Sequence, residues 1–183
     1  MLYVALLYSI GIPQGRLVMG DLRDLASRLG FGDPRTLVAT GNLVFEADEG
    51  HWEQPLEAAY AERFGRHVDI IVRDAAHWRR TVAANPFGDG PNVMVRVQRD
   101  PLAPDAAARL EPYRAPGDAV AVAGGDMWVR FAGPPNESRL LRALTKPRLG
   151  IGTARIWNTV RRLGEMLDAE RGLSPEETGR ALR

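Results

Sequence analysis

Arg35-Thr36-Leu37-Val38-Ala39-Thr40-Gly41-Asn42-Leu43-Val44-Phe45-Glu46-Ala47 is the stretch whose reading decides the fold. Two β-prone runs flank Gly41-Asn42, the form of a β-hairpin. A two-residue loop that begins with glycine suits a type II′ turn, which needs positive φ at its first position. Upstream, Leu2 to Ile10 is apolar on both strand faces, as a central strand requires. Gly11 to Arg16 carries the glycine and proline of a loop. Val18, Leu22, Leu25 and Leu29 then recur at helical spacing, and Gly30 suits the position just past a helix end. Downstream, Trp52, Leu56, Tyr60 and Phe64 form a second helical stripe closed by Gly65. Val68, Ile70 and Val72 alternate as a strand.

The resulting order is strand, helix, strand, strand, helix, strand, the ferredoxin-like βαββαβ pattern. Asp74 can cap a linking helix that carries Trp78 and Val82, and Asn85-Pro86 stops it. The pattern then repeats. Val93 to Gln98 reads as a strand and Pro104 to Tyr113 as a short helix. Ala119 to Ala123 and Met127 to Phe131 flank a turn at Gly124-Gly125. Glu137 to Leu144 reads as a helix capped by Asn136, Thr153 to Ile156 as a strand, and Asn158 to Glu170 as an extra helix capped by Asn158. Val160, Leu163 and Leu167 point inward from that helix, and Ser174 with Glu177 forms a capping-box pattern in the tail. The expected architecture is α+β: two ferredoxin-like subdomains, residues 1–84 with the linking helix and residues 85–183 with the extra C-terminal helix, packed together. The two hairpins are not exact copies. With two-residue loops Val122 and Met127 would match Ala39 and Val44, yet the main apolar pair of the first hairpin is Val38 with Phe45. The favoured resolution is a first sheet covered on both faces, because each half alone buries little surface; a longer loop is the alternative.

The 183 residues are 45% hydrophobic and 26% charged, the balance of a globular protein, with a formal net charge of +1. That charge gives no global attraction to nucleic acid or membrane. There is no cysteine, which excludes disulfides, thiolate metal sites and cysteine nucleophiles. The apolar start Met1 to Leu7 lacks a basic flank and is too short to span a bilayer, so it reads as a buried strand of a cytoplasmic protein.

Several segments in order resemble the uncharacterised bacterial family known as domain of unknown function 1697. They are Tyr3-Val4-Ala5-Leu6-Leu7, Met19 to Arg23, Thr40-Gly41-Asn42 with Val44-Phe45, Phe64-Gly65, Val72-Arg73, Ala84-Asn85-Pro86-Phe87 and Trp157-Asn158-Thr159. The resemblance implies paired ferredoxin-like subdomains and no particular activity. It also exposes a departure. Where family members carry an Arg-Gly-Ile-Asn-Val-Gly-Gly-like loop after the first strand, this chain has Tyr8-Ser9-Ile10-Gly11-Ile12-Pro13-Gln14. Loss of the arginine, first glycine and asparagine points to a lost role or to adaptation to another ligand.

In the ferredoxin-like strand order 4-1-3-2, the end of strand 1, the hairpin turn and the start of strand 4 share one edge. Tyr8, Ser9 and Gly11 should therefore approach Gly41, Asn42 and His67, where hydroxyl, amide, imidazole and free backbone N–H groups could orient a small ligand. The competing reading is structural: Asn42 satisfies the turn, the glycines make turns, and His67 is a solvated strand-starter. Trp52 and Trp128 fit packing better than a binding cage. The glycine-rich basic run Lys146 to Arg155 suggests an anion site at Lys146, Arg148 and Arg155, against the plainer reading of a charged loop. His51, His67 and His77 are dispersed with no carboxylate at ligand spacing, so no metal site is expected, and no cofactor motif or P-loop occurs.

From Arg139 onward ten basic residues face five acidic ones. RNA binding nonetheless ranks third among the readings, because neither third strand carries the aromatic pattern of RNA-binding sheets. The first-ranked reading is a small-molecule binder, with a metal-independent enzyme as one form of it, and a pocket at the first sheet edge or between the subdomains. A non-catalytic protein-interaction or oligomerisation module is the alternative.

Overall fold

β1 (Leu2–Leu7) is buried from Tyr3 to Leu7, as its unbroken apolar run requires of a strand covered on both faces. In the structure, a computed structural model that describes residues 1–8, 19–37 and 41–169, β1 lies second from the edge of a four-stranded antiparallel sheet. The strand order is β2 (Gly32–Thr36), β3 (Asn42–Glu46), β1 and β4 (Ile70–Asp74). Two helices join these strands: α1 (Met19–Arg28) between β1 and β2, and α2 (Glu53–Phe64) between β3 and β4. Leu22, Leu25 and Ala26 of α1 and Leu56 and Tyr60 of α2 form one core with Tyr3, Ala5, Leu7, Leu43, Phe45, Ile70 and Val72. An aromatic chain runs through it: Phe31 stacks on Phe45 at 4.3 Å between centroids, and Trp52 meets Phe31 edge-on at 5.0 Å. On the opposite face Val4, Leu6, Val44 and Ile71 are also buried, so the first sheet is covered on both sides.

The first hairpin departs from the sequence reading in its register. Arg35 pairs with Val44 and Thr36 with Leu43, and the Leu37 N–H donates to the Asn42 carbonyl at 3.2 Å. Four residues, 38 to 41, therefore separate the paired positions, and Asn42 is the first residue of β3, not the second residue of a two-residue turn. The longer loop and the two-sided cover, weighed as alternatives, both hold. β2 also begins three residues before Arg35. A register shift between Gly32 and Arg35 takes up Asp33, which has φ 37°, and Pro34. Proline is tolerated because β2 is an edge strand. Gly-Asp-Pro reads as a turn in sequence and becomes a bulged strand once an edge accepts it.

A second four-stranded antiparallel sheet has the order β6 (Ala119–Ala123), β7 (Asp126–Arg130), β5 (Val93–Gln98) and β8 (Gly152–Ile156). Here the two-residue turn is found as expected. Ala123 pairs with Asp126, and Gly124 and Gly125 have φ 62° and 83°, which only glycine adopts freely in succession. Pro104–Tyr113 is a 3-10 helix. Its core partners include α4 (Arg139–Ala143), through Ala106, Leu110, Leu140 and Ala143, and α5 (Lys146–Leu149), through Leu149. The cap of α4 is Ser138, whose hydroxyl accepts the Leu140 N–H at 3.0 Å; Asn136 lies instead in a 3-10 turn, Pro135–Glu137. α3 (Ala75–Ala83) is capped by Asp74, which accepts the His77 N–H at 2.7 Å. α6 (Trp157–Ala169) starts one residue before Asn158, which is therefore inside the helix and is not its cap. Val160, Leu163 and Leu167 are buried as their spacing predicts, whereas the tail pattern at Ser174 lies outside the described residues.

Contacts divide the described residues into two compact units, one of Met1–Arg79 with Arg161–Ala169 and one of Arg80–Val160. The division falls inside α3 and inside α6, where the sequence suggested one cut at Asn85. Within the first unit Arg79 donates to Asp168 of α6 at 2.7 Å.

Carboxylates close loose ends of both sheets. Asp118, 5% exposed, accepts the N–H groups of Ala115 at 2.8 Å and Ala132 at 2.9 Å across the base of the β6–β7 hairpin. Glu53 accepts the Val72 N–H at 3.2 Å from a part-buried position. Leaving a buried donor unsatisfied costs about 1–3 kcal/mol. Asp118→Ala is accordingly expected to lower stability in urea unfolding by about 3 kcal/mol, and Glu53→Ala by about 1 kcal/mol.

Candidate functional site

The end of β1 is joined to both of its neighbours by backbone hydrogen bonds. The Leu7 N–H donates to the Gly41 carbonyl and the Tyr8 N–H to the Asp69 carbonyl, each at 2.9 Å. Three parts of the chain far apart in sequence, Tyr8, Gly41-Asn42 and the segment from His67 to Asp69, thus meet at one end of the sheet. The topology makes this inevitable: β1 lies antiparallel to β3 and β4, so its last residue must lie beside the first residues of both.

The residues brought there play different parts. Asn42 is fully buried, and its Nδ2 donates to the Leu37 carbonyl at 2.9 Å, closing the four-residue loop with a side chain. Gly41, with φ 73°, is buried beside it. Both shape the hairpin end. Tyr8 is half-buried with its ring against the core of the first unit. The His67 side chain is 62% exposed, and its Nε2 lies 3.4 Å from Asp69 Oδ1. Ser9 and Gly11, with the rest of the altered loop, lie outside the described residues.

One group at this end was missed in the sequence. Glu57 of α2 lies on the helix face turned toward β4, and its Oε1 accepts the Ile70 N–H at 2.8 Å. One ligand-type atom from each of Glu57, His67 and Asp69 lies within 4.8 Å of the others. The expectation that no carboxylate stands at ligand spacing from a histidine therefore does not hold. The signal was partly available: His67-x-Asp69 has the i, i+2 spacing that puts two side chains on one face of an extended segment. Glu57 had no such signal, because its approach depends on how α2 packs on the sheet.

The basic candidates of the second unit are held by the protein itself. Arg148 stacks on the Tyr113 ring at 4.4 Å, donates to the Tyr113 hydroxyl at 2.8 Å and caps the Ala143 carbonyl at 2.7 Å. Arg155 donates to Thr153 Oγ1 at 2.7 Å and to the Ala154 carbonyl at 2.8 Å. Burial pushes its pKa down to about 10, so it remains a cation at neutral pH. Lys146 is exposed in α5. Arg96, fully buried, is another missed cation: it bonds Gln98 and, at 2.7 Å, the Gly150 carbonyl. Its guanidinium occupies the space a Cβ on Gly152 would fill, which accounts for a glycine at the first position of β8, opposite Gln98. Trp128, also fully buried, donates its indole N–H to the Ala123 carbonyl at 3.3 Å, the packing role its position suggested.

The chain belongs to the family described as protein of unknown function (DUF1697), whose model matches residues 1–128. Among curated proteins no sequence matches it. Among solved structures it is similar to the conserved bacterial protein SP0830 from Streptococcus pneumoniae. The identity is 17%, the TM-score 0.70, and the match covers 91% of this chain and 98% of that one, a likeness of fold. Among the described residues no helix is long and apolar enough to cross a membrane.

The role of Asn42 can be checked directly. Asn42→Ala removes the bond to Leu37 and is expected to cost about 1–2 kcal/mol in thermal unfolding. Asn42→Asp puts a charge against the same carbonyl and is expected to cost more, an order a purely exposed turn residue would not give.

Proposed function

From membership of a family whose description assigns no activity, we propose that the protein binds a small molecule at the β1 end of the first sheet. Tyr8 and His67 are the recognition groups, and Gly41 and Asn42 the frame. The observation that carries this reading is the pair of 2.9 Å backbone bonds, Leu7 to Gly41 and Tyr8 to Asp69, which hold three sequence-distant segments at one edge. A half-buried phenol ring and an exposed imidazole on such a frame offer an apolar surface and two polar ends to a ligand of metabolite size. Each unit is read as a ferredoxin-like subdomain, supported by the element order and by the strand order, which puts the first and third strands of each unit inside and the second and fourth at the edges.

The alternative, an interaction module working through a sheet face or edge, has less support. Among the described residues the large hydrophobic side chains left exposed are Met1 and Ile156, too few for an apolar docking patch. The outer edge of β4 is also covered, with the N–H groups of Ile70 and Val72 taken by Glu57 and Glu53.

The test combines native mass spectrometry of freshly purified protein with a thermal-shift metabolite screen. A retained or stabilising compound is expected, with its affinity reduced about tenfold, equivalent to about 1.4 kcal/mol, in Tyr8→Phe. A compound that binds Tyr8→Phe and His67→Gln as tightly as the parent protein would place the ligand elsewhere and sink the reading.

A further inference from the structure

We propose that Glu57, His67 and Asp69 form a binding site for a divalent transition ion of the zinc class. The inference deepens the reading above by naming a ligand for the same end of the sheet. A tetrahedral ion with bonds of about 2.0–2.2 Å holds its ligand atoms about 3.3–3.6 Å apart. His67 Nε2 and Asp69 Oδ1, 3.4 Å apart, already have that spacing, and all three ligand atoms lie within 4.8 Å of one another. The Glu57 carboxylate closes the remainder by turning toward the pair while its Oε1 keeps the Ile70 N–H.

The supports are as informative as the ligands. Glu57 is on a helix, and its carboxylate is oriented by the Ile70 N–H, the kind of outer contact that fixes a metal-binding carboxylate. Asp69 is anchored through its own carbonyl, which accepts the Tyr8 N–H. Burial is graded: Glu57 is 9% exposed, the Asp69 side chain 11% and the His67 side chain 62%. Two carboxylates sit inside and one imidazole stands at the mouth, so an ion can arrive from solvent and meet charge of opposite sign. The donor set selects the class. An imidazole nitrogen with two carboxylate oxygens suits zinc or a neighbouring first-row ion, whereas an oxygen-only set would suit magnesium or calcium. Three protein ligands leave a fourth position open, which is the arrangement of sites that bind an exogenous group and not of closed structural sites. A ligand oxygen entering that position would lie at the sheet end that Tyr8 borders.

The experiment is isothermal titration of zinc chloride into the chelator-stripped, full-length protein, with zinc-dependent thermal shift as a second readout. One equivalent is expected to bind and to raise the melting temperature. His67→Gln and Asp69→Asn should each weaken binding at least tenfold, while His51→Gln binds as the parent does. His67 is largely exposed, so its replacement tests the site without burdening the fold. A parent dissociation constant weaker than about 1 mM, or undiminished binding in both His67→Gln and Asp69→Asn, overturns the proposal. Because zinc is titrated without any organic ligand, a failed titration leaves the small-molecule reading standing, and a compound that proves insensitive to Tyr8→Phe leaves the metal site standing.

Discussion

The first sheet depends on how its outer β4 edge is finished. An edge strand presents every second N–H to solvent or to another chain. Here the outward donors of Ile70 and Val72 are taken by Glu57 and Glu53 of α2. The match is geometric. Four residues of helix rise about 6 Å, and two residues of strand advance about 6.6 Å, so carboxylates at i and i+4 reach amides at j and j+2. α2 runs antiparallel to the order of those amides, and the apolar contacts of Leu56 and Tyr60 hold it at the right height. One helix thereby covers the core, closes the edge and carries Glu57 to His67.

That geometry separates what could be read in the sequence from what could not. Element order, both glycine helix ends, the Asp74 cap and the Gly124-Gly125 turn are local events, encoded in runs of a few residues. So is the buried stripe Val160, Leu163 and Leu167. The first hairpin is different. Gly41-Asn42 satisfies the local rule for a tight turn, yet the amide of Asn42 finds the Leu37 carbonyl and pairs the strands four residues apart. A buried side-chain bond outweighed a turn preference, and nothing local announces that Asn42 will be buried. The caps Asn136 and Asn158 failed for a related reason. Ser138 lay nearer the true start of α4, and the backbone of α6 is already helical at Trp157.

The candidate site was legible as a location and only partly as chemistry. Antiparallel pairing alone places Tyr8, Gly41 and the start of β4 together, whatever the side chains are. Which of those side chains faces a ligand depends on burial, and burial turned Asn42 from a contact residue into a structural clamp. The reverse happened with Glu57, an unremarked helix residue that the sheet turned into a neighbour of His67. In the second unit the same lesson appears at Arg96 and Gly152. A guanidinium lies over a residue without a side chain, and neither position is conspicuous alone.

Pro34 gives the opposite edge its own character. It has no amide hydrogen, it lies in the bulged segment beside Asp33, and among the described residues no strand lies beyond β2. With carboxylates on one flank and an imino acid on the other, both edges of the first sheet are poor templates for a further strand. Raising the protein concentration therefore offers neighbours a poor start for a continuous ladder through this sheet, and self-association that uses it is favoured through side chains instead.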